Sequence, residues 1–200
     1  MATGRVNDGT SVTLKLVGAR LAFPSVFKKD KYGRYSATLI VAPNDENYKK
    51  IVAAIKQVAK AKWGDKAEAT LKTLFAKDDV CLHDGNNKPD LAGFPGNYYL
   101  SCTNQNRPTL LNRAREDIDE SSGLLYSGCY PVAVVEIWAQ DNPAKGWKRI
   151  NCQLQGLQHY KDGERFAGGR IANRDEFDDL SNLEDEGDDL VGGSGDDSPF

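Results

Sequence analysis

The chain has 200 residues, 40% hydrophobic and 28% charged, a length that favours one domain able to bury a core without disulfides or metals. No apolar run approaches the roughly 20 residues that span a bilayer, and the first ten residues lack the basic start and apolar segment of a secretory signal, so the expectation is a cytoplasmic protein. The net charge of −3 conceals a division: residues 175–200 hold eleven acidic residues and no basic one, leaving residues 1–174 with 26 basic against 18 acidic, +8 beside −11.

Val12, Leu14 and Leu16 alternate with Thr13 and Lys15, which predicts a half-buried strand over residues 10–21. Residues 23–34, punctuated by Pro24 and Gly33, read as a long loop, and a second strand occupies 35–42. Asn44 is the expected N-cap of a helix whose apolar stripe is Ile51, Ile55, Val58 and Ala59, with Lys49, Lys50, Lys56 and Lys60 mostly off it. A short second helix over 66–76 takes Asp65 as its cap. Gly, Asn, Asp and Pro crowd residues 84–96, an irregular excursion. A short strand follows over 98–103, then an irregular stretch, 104–123, that carries Arg107, Arg113 and Arg115.

The clearest strand patterns come late. Residues 131–140 set Ala133, Val135 and Ile137 on one face and Val134, Glu136 and Trp138 on the other. Residues 147–159 set Ile150, Cys152 and Leu154 against Arg149, Asn151, Gln153 and Gln155, and residues 141–146 join the two as a hairpin loop. About five strands with a helical insertion after the second suit a small closed or nearly closed barrel. Beyond Arg174 the acidic run and Gly192-Gly193-Ser194-Gly195 cannot bury enough apolar surface to offset ordering entropy, so a disordered tail, 175–200, is expected beside a folded body, 1–174.

Cys81, Cys102, Cys129 and Cys152 lie more than twenty residues apart without a Cys-x-x-Cys pair and read as reduced, buried thiols rather than metal ligands. His83 and His159 read as surface or core histidines, and Gly168-Gly169-Arg170 as a turn. No phosphate-binding glycine loop, nucleophile elbow or zinc helix is present. No catalytic residue, metal or cofactor is assigned. A metal-dependent nuclease is the enzymatic alternative, and a phage assembly or interaction protein with an acidic tail the structural one.

A polyanion-binding body with an acidic appendage accounts for the charge division. Single-stranded nucleic acid needs cations that track phosphates and flat side chains on which unpaired bases stack. The first loop interleaves Phe23, Phe27, Tyr32 and Tyr35 with Lys28, Lys29, Lys31 and Arg34, and the late hairpin sets Trp138 and Trp147 beside Lys145, Lys148 and Arg149. The candidate DNA contacts are therefore Lys15, Arg20, Phe27, Lys28, Lys29, Lys31, Tyr32, Arg34, Tyr35, Trp138, Trp147, Lys148 and Arg149. Of the barrel types, an OB-like one fits such a ligand.

The final residues, Asp196-Asp197-Ser198-Pro199-Phe200, combine acid with an aromatic, a combination suited to a basic pocket with an apolar floor. This ending resembles the acidic tip of bacterial single-stranded-DNA-binding proteins, although Ser198 stands where that tip usually has a hydrophobic residue. The whole chain, with Leu124-Leu125-Tyr126-Ser127-Gly128-Cys129-Tyr130 and Asp162-Gly163-Glu164, resembles phage-encoded single-stranded-DNA-binding proteins of OB fold. The resemblance implies a stoichiometric, non-enzymatic protein of replication, recombination or repair. It also implies a tail that recruits partner enzymes through Asp196, Asp197, Pro199 and Phe200 and competes with DNA. A flexible segment of this length reaches roughly 25–30 Å.

Overall fold

The computed structural model describes residues 10–166. Eight strands and two helices follow in the order β1 (Ser11–Val17), β2 (Arg20–Ser25), β3 (Tyr35–Val41), α1 (Glu46–Trp63), α2 (Ala67–Ala76), β4 (Leu82–Asp84), β5 (Tyr98–Asn104), β6 (Thr109–Leu111), β7 (Tyr130–Asn142) and β8 (Trp147–Lys161). The strands form one mainly antiparallel sheet in the order β1-β7-β8-β5-β3-β2, with β4 paired to β5 and β6 to β8. The architecture is the mainly β, OB-like one expected, with the helices inserted between β3 and β4. It differs from a five-stranded closed barrel in strand count and in closure: the sheet is not closed.

The five expected strands are all present, together with three additions, β2, β4 and β6. Gly18, at φ +71°, turns the first predicted strand by adopting a conformation open to glycine, so β1 ends at Val17 and β2 begins at Arg20. The second half of the run pairs with β3, while the first pairs with β7 from Ser11↔Trp138 to Val17↔Val132. Backbone bonds from Gly18 N to Pro131 O (3.0 Å) and Leu21 N to Cys129 O (2.9 Å) tie this corner to the start of β7. β4 and β6 are three residues each, too short to show a period.

The helix signals need two adjustments. The N-cap of α1 is Asp45, whose carboxylate accepts from Asn47 N at 2.8 Å; Asn44 lies one residue outside. Asp65 does not cap α2. A 3-10 turn over Gly64–Lys66 intervenes, and the Asp65 carboxylate pairs instead with Lys60 at 2.7 Å.

The core lies between one face of the sheet and α1. Ile51, Ile55 and Val58 of the helix pack with Leu16, Leu39, Leu100, Val135, Ile137 and Leu154 of the strands, each side chain stabilising the fold by about 1.5–3 kcal/mol relative to exposure. Asn47 fixes the helix to the sheet: its side chain accepts from Val17 N at 3.1 Å and donates to Val17 O at 2.9 Å. All four cysteines are free and buried. Cys102 Sγ and Cys152 Sγ are 3.3 Å apart, and burial pushes the Cys152 thiol well above its ordinary range, with Cys102 and Cys81 adding to the shift.

The two segments that carry the phage resemblance meet each other. Tyr126 Oη lies 3.1 Å from Asp162 Oδ1 and 2.9 Å from Gly163 O, and accepts from Gly163 N at 3.1 Å. The crossing requires glycine at 128: a Cβ there would stand 2.1 Å from Glu164 O, at φ +116°.

Candidate nucleic-acid interface

Strand alternation leaves the second face of the sheet polar. Opposite the core-facing Ala133, Val135 and Ile137, strand β7 presents Glu136, Trp138 and Gln140; opposite Ile150, Cys152 and Leu154, strand β8 presents Arg149, Asn151, Gln153 and Gln155. Ser101 and Thr103 of β5 continue the row through the parallel pairing Thr103↔Gln153. These side chains, with Arg34, Asp78, Asp79, His83, Asn104, Gln105 and Asn106, line a groove of about 840 Å³.

The groove is ordered by its own hydrogen bonds. Asn151 Nδ2 donates to Gln140 Oε1 at 2.9 Å, and Gln155 Nε2 to Glu136 Oε2 at 3.1 Å. Buried Asn104 donates to Leu154 O at 2.7 Å and accepts from Asn106 N at 2.9 Å, which fixes the turn after β5. The acids are engaged as well: Arg149 Nε pairs with Asp79 at 2.9 Å, and His83 Nδ1 lies 2.6 Å from Asp78 Oδ1. Arg34 makes no ion pair among the described residues. A polar trough of amides, which both donate and accept, with a tryptophan on its floor and arginines at its margin, offers hydrogen bonds and stacking without a fixed base pattern.

Of the sequence-predicted residues, Arg34, Trp138 and Arg149 converge in this groove. Lys15 is exposed on β1 and shares the polar face, since it pairs with Val134, two residues from Glu136. Trp147 lies on that face by alternation with Arg149 and Asn151, at the hairpin end. Lys29, Lys31, Tyr32 and Arg34 stand on the β2–β3 turn, which Asp30 closes by accepting from Tyr32 N at 2.8 Å and Arg34 N at 3.0 Å. Tyr32 is 67% exposed there, with Lys31 Nζ and the Arg34 guanidinium 5.1 and 5.4 Å from its ring. Lys28 pairs with Glu120 at 2.6 Å, both well exposed, an ion pair of little energy.

Four predicted residues are placed elsewhere. Lys148 lies opposite Asp141 on the core-side face, 3.5 Å from that carboxylate and 5.5 Å from the ring of Trp63. Adjacent strand residues point to opposite faces, so Lys148 and Arg149 cannot serve one groove together. Arg20 holds the segment after β8, donating to Glu164 O at 2.8 Å with its guanidinium 4.1 Å from the Phe166 ring. Phe27 packs against the main core, and Tyr35 is half-buried with Lys29 Nζ 5.8 Å from its ring. Asp196, Asp197, Pro199, Phe200 and Gly168-Gly169-Arg170 lie outside the described residues.

Sequence reasoning sets Asn151, Gln153 and Gln155 on one strand face without assigning them to the site. Their signal is the alternation itself: a strand that spends every second position on an amide is facing water or a polar ligand.

Residues 10–191 match the family model described as Enterobacter phage Enc34, ssDNA-binding protein. The putative protein p50 of Acyrthosiphon pisum secondary endosymbiont phage 1 is 35% identical over 181 residues, covering 86% of this chain and 96% of that protein. Among solved structures, the single-stranded DNA-binding protein from bacteriophage Enc34 in complex with ssDNA is similar at 24% identity and TM-score 0.58, over 82% of this chain and 97% of that one. A C-terminal truncation of that Enc34 protein matches at 24% identity and TM-score 0.57, over 82% and 96%. These two likenesses show a common fold, and the family whose model matches is one of binding proteins rather than of enzymes. The chain therefore belongs to the phage single-stranded-DNA-binding family represented by the protein of Enterobacter phage Enc34.

Proposed function

We propose that this protein binds single-stranded DNA without sequence preference by laying the strand along the polar groove over β7, β8 and β5. Trp138 stacks on a base, while Arg34, Arg149 and, beyond the groove, Lys15, Lys28, Lys29 and Lys31 take phosphates. Tyr32 and Trp147 are further stacking positions at the two hairpin ends. The observation that carries the reading is the convergence of Trp138, Arg34 and Arg149 on one amide-lined face in a chain of this family. Stacking and phosphate neutralisation are both sequence-tolerant, so the protein coats and protects exposed strands in phage DNA replication, recombination or repair, in the cytoplasm of the infected host.

The acidic segment completes the proposal. With residues 1–174 as the DNA-binding body, residues 175–200 recruit replication or recombination enzymes through Asp196, Asp197, Pro199 and Phe200, and compete with DNA for the cationic surface. The support is the charge division of +8 against −11 in the sequence.

The test is a titration of oligothymidine against tryptophan fluorescence and gel mobility, across salt, with duplex DNA and RNA in parallel. Quenching with an affinity that falls as salt rises is expected. No quenching and no shift at low salt overturns the nucleic-acid reading and favours an interaction protein.

A further inference from the structure

The polar face of the sheet does not end at the groove. Toward the start of β2 it is covered by a second apolar cluster of Ala22, Ile40, Phe94 and Tyr99, and across this cluster runs a row of rings. His83, which lines the groove, stacks on Tyr99 at 4.9 Å; Tyr99 meets Phe94 edge-on at 5.1 Å; Phe94 meets Phe23 at 5.9 Å. Phe94 and Tyr99 are buried, whereas Phe23 at the outer end is 53% exposed.

Phe23 carries two further marks. Its backbone is left-handed, φ +47°, a conformation unfavourable for a bulky residue, and it sits where the β2–β3 register shifts between Ala22 and Ser25. The amide is held by Ser127 Oγ at 2.9 Å. A bulge that holds a strained backbone in order to keep a phenylalanine half out in water is spending stability on presentation, and such strain gathers at ligand sites. Over the inner rings of the same row, Lys88 Nζ stands 4.6 Å from the Tyr99 ring and 5.5 Å from the Phe94 ring, and Lys88 makes no ion pair among the described residues. The neighbouring cation, Arg20, is already occupied with Glu164 O and Phe166.

We propose that Phe23 and Lys88 form a second nucleotide-binding position beyond the groove, Phe23 stacking on a base and Lys88 contacting the adjoining phosphate, with the His83-Tyr99-Phe94 row as the wall between the two positions. This rests on the single-stranded-DNA reading above and extends the DNA path along the same sheet face. Of the two phenylalanines in the first loop, Phe27, counted among the DNA contacts from the sequence, packs against the core, and Phe23 is the exposed one.

The experiment is an anisotropy titration of labelled oligothymidines of increasing length at one salt concentration, using the full chain and its Phe23→Ala, Phe23→Gly, Lys88→Ala and Trp138→Ala variants. On oligomers long enough to cover both positions, both Phe23 variants are expected to bind about fivefold or more weakly. The shortest oligomer that binds wild type is expected to lose affinity only with Trp138→Ala. Repeating the titration across salt, Lys88→Ala lowers the log–log slope by about 0.7. Phe23→Gly relieves the left-handed backbone, so an unchanged or raised Tm together with weakened binding separates presentation from folding. Wild-type affinity in both Phe23 variants at every length overturns this inference, leaving Phe23 as a cover for Phe94. Failure of wild type to bind any oligomer overturns the function itself.

Discussion

Replacing Trp138 by alanine removes the aromatic floor of the groove while leaving the core alone. The side chain projects from β7 on the face opposite Ile137 and Ala139, which are 0% and 5% exposed, and its neighbours across the strands are Ser11 and Asn151. A stacked base is worth about 1–3 kcal/mol. Trp138 is half-buried, so part of the ring is already covered and the lower part of that range, about 1–2 kcal/mol, applies. At about 1.4 kcal/mol per tenfold, that is roughly a 5- to 30-fold rise in Kd. The assay is anisotropy of a labelled oligothymidine at fixed salt, with the far-ultraviolet circular dichroism and Tm of each variant as the measure of folding. Trp147→Ala, at the hairpin end of the same face and outside the groove lining, should have the smaller effect. Folded Trp138→Ala protein with wild-type affinity refutes the reasoning.

Lys31→Ala with Arg34→Ala should lower the log–log salt slope by about 1.4, because each neutralised phosphate contributes about 0.7 on a single strand. Lys148→Ala, turned toward Asp141 and Trp63, should leave the slope unchanged; equal slopes in wild type and both variants contradict the placement. Deleting residues 175–200 should tighten oligothymidine binding at low salt, and unchanged affinity there removes the competition. Burial raises the Cys152 and Cys129 thiols, so neither should react with an aromatic disulfide reagent at about pH 8, just below the ordinary thiol range, until the chain unfolds. Native thiols stay protonated while unfolded ones ionise, so stability falls as pH climbs through that range, and a flat Tm from about pH 8 to 10 counts against it.

Much of this fold could be read from periodicity, because β7 and β8 alternate cleanly and α1 keeps its apolar stripe. What escaped was set by other physics. β4 and β6 owe their existence to the edges of β5 and β8 rather than to any pattern of their own. Phe23 and Pro24 read as loop because a bulge, not a turn, absorbs them. The groove was half legible: the polar alternation of β8 was visible, but its meeting with Arg34 and His83 depends on strand order, which a linear pattern does not encode. Lys148 was decidable from parity, since it shares a face with Ile150, yet proximity in sequence grouped it with Arg149.

The most direct measurement is photocrosslinking of a bromouracil-substituted oligothymidine to the full chain, with the adducts mapped by peptide mass spectrometry. The groove account predicts adducts on β7, β8 and the β2–β3 turn, with Trp138 and Tyr32 foremost. Adducts confined to the lysine-rich helix α1, on the other side of the sheet, would contradict it.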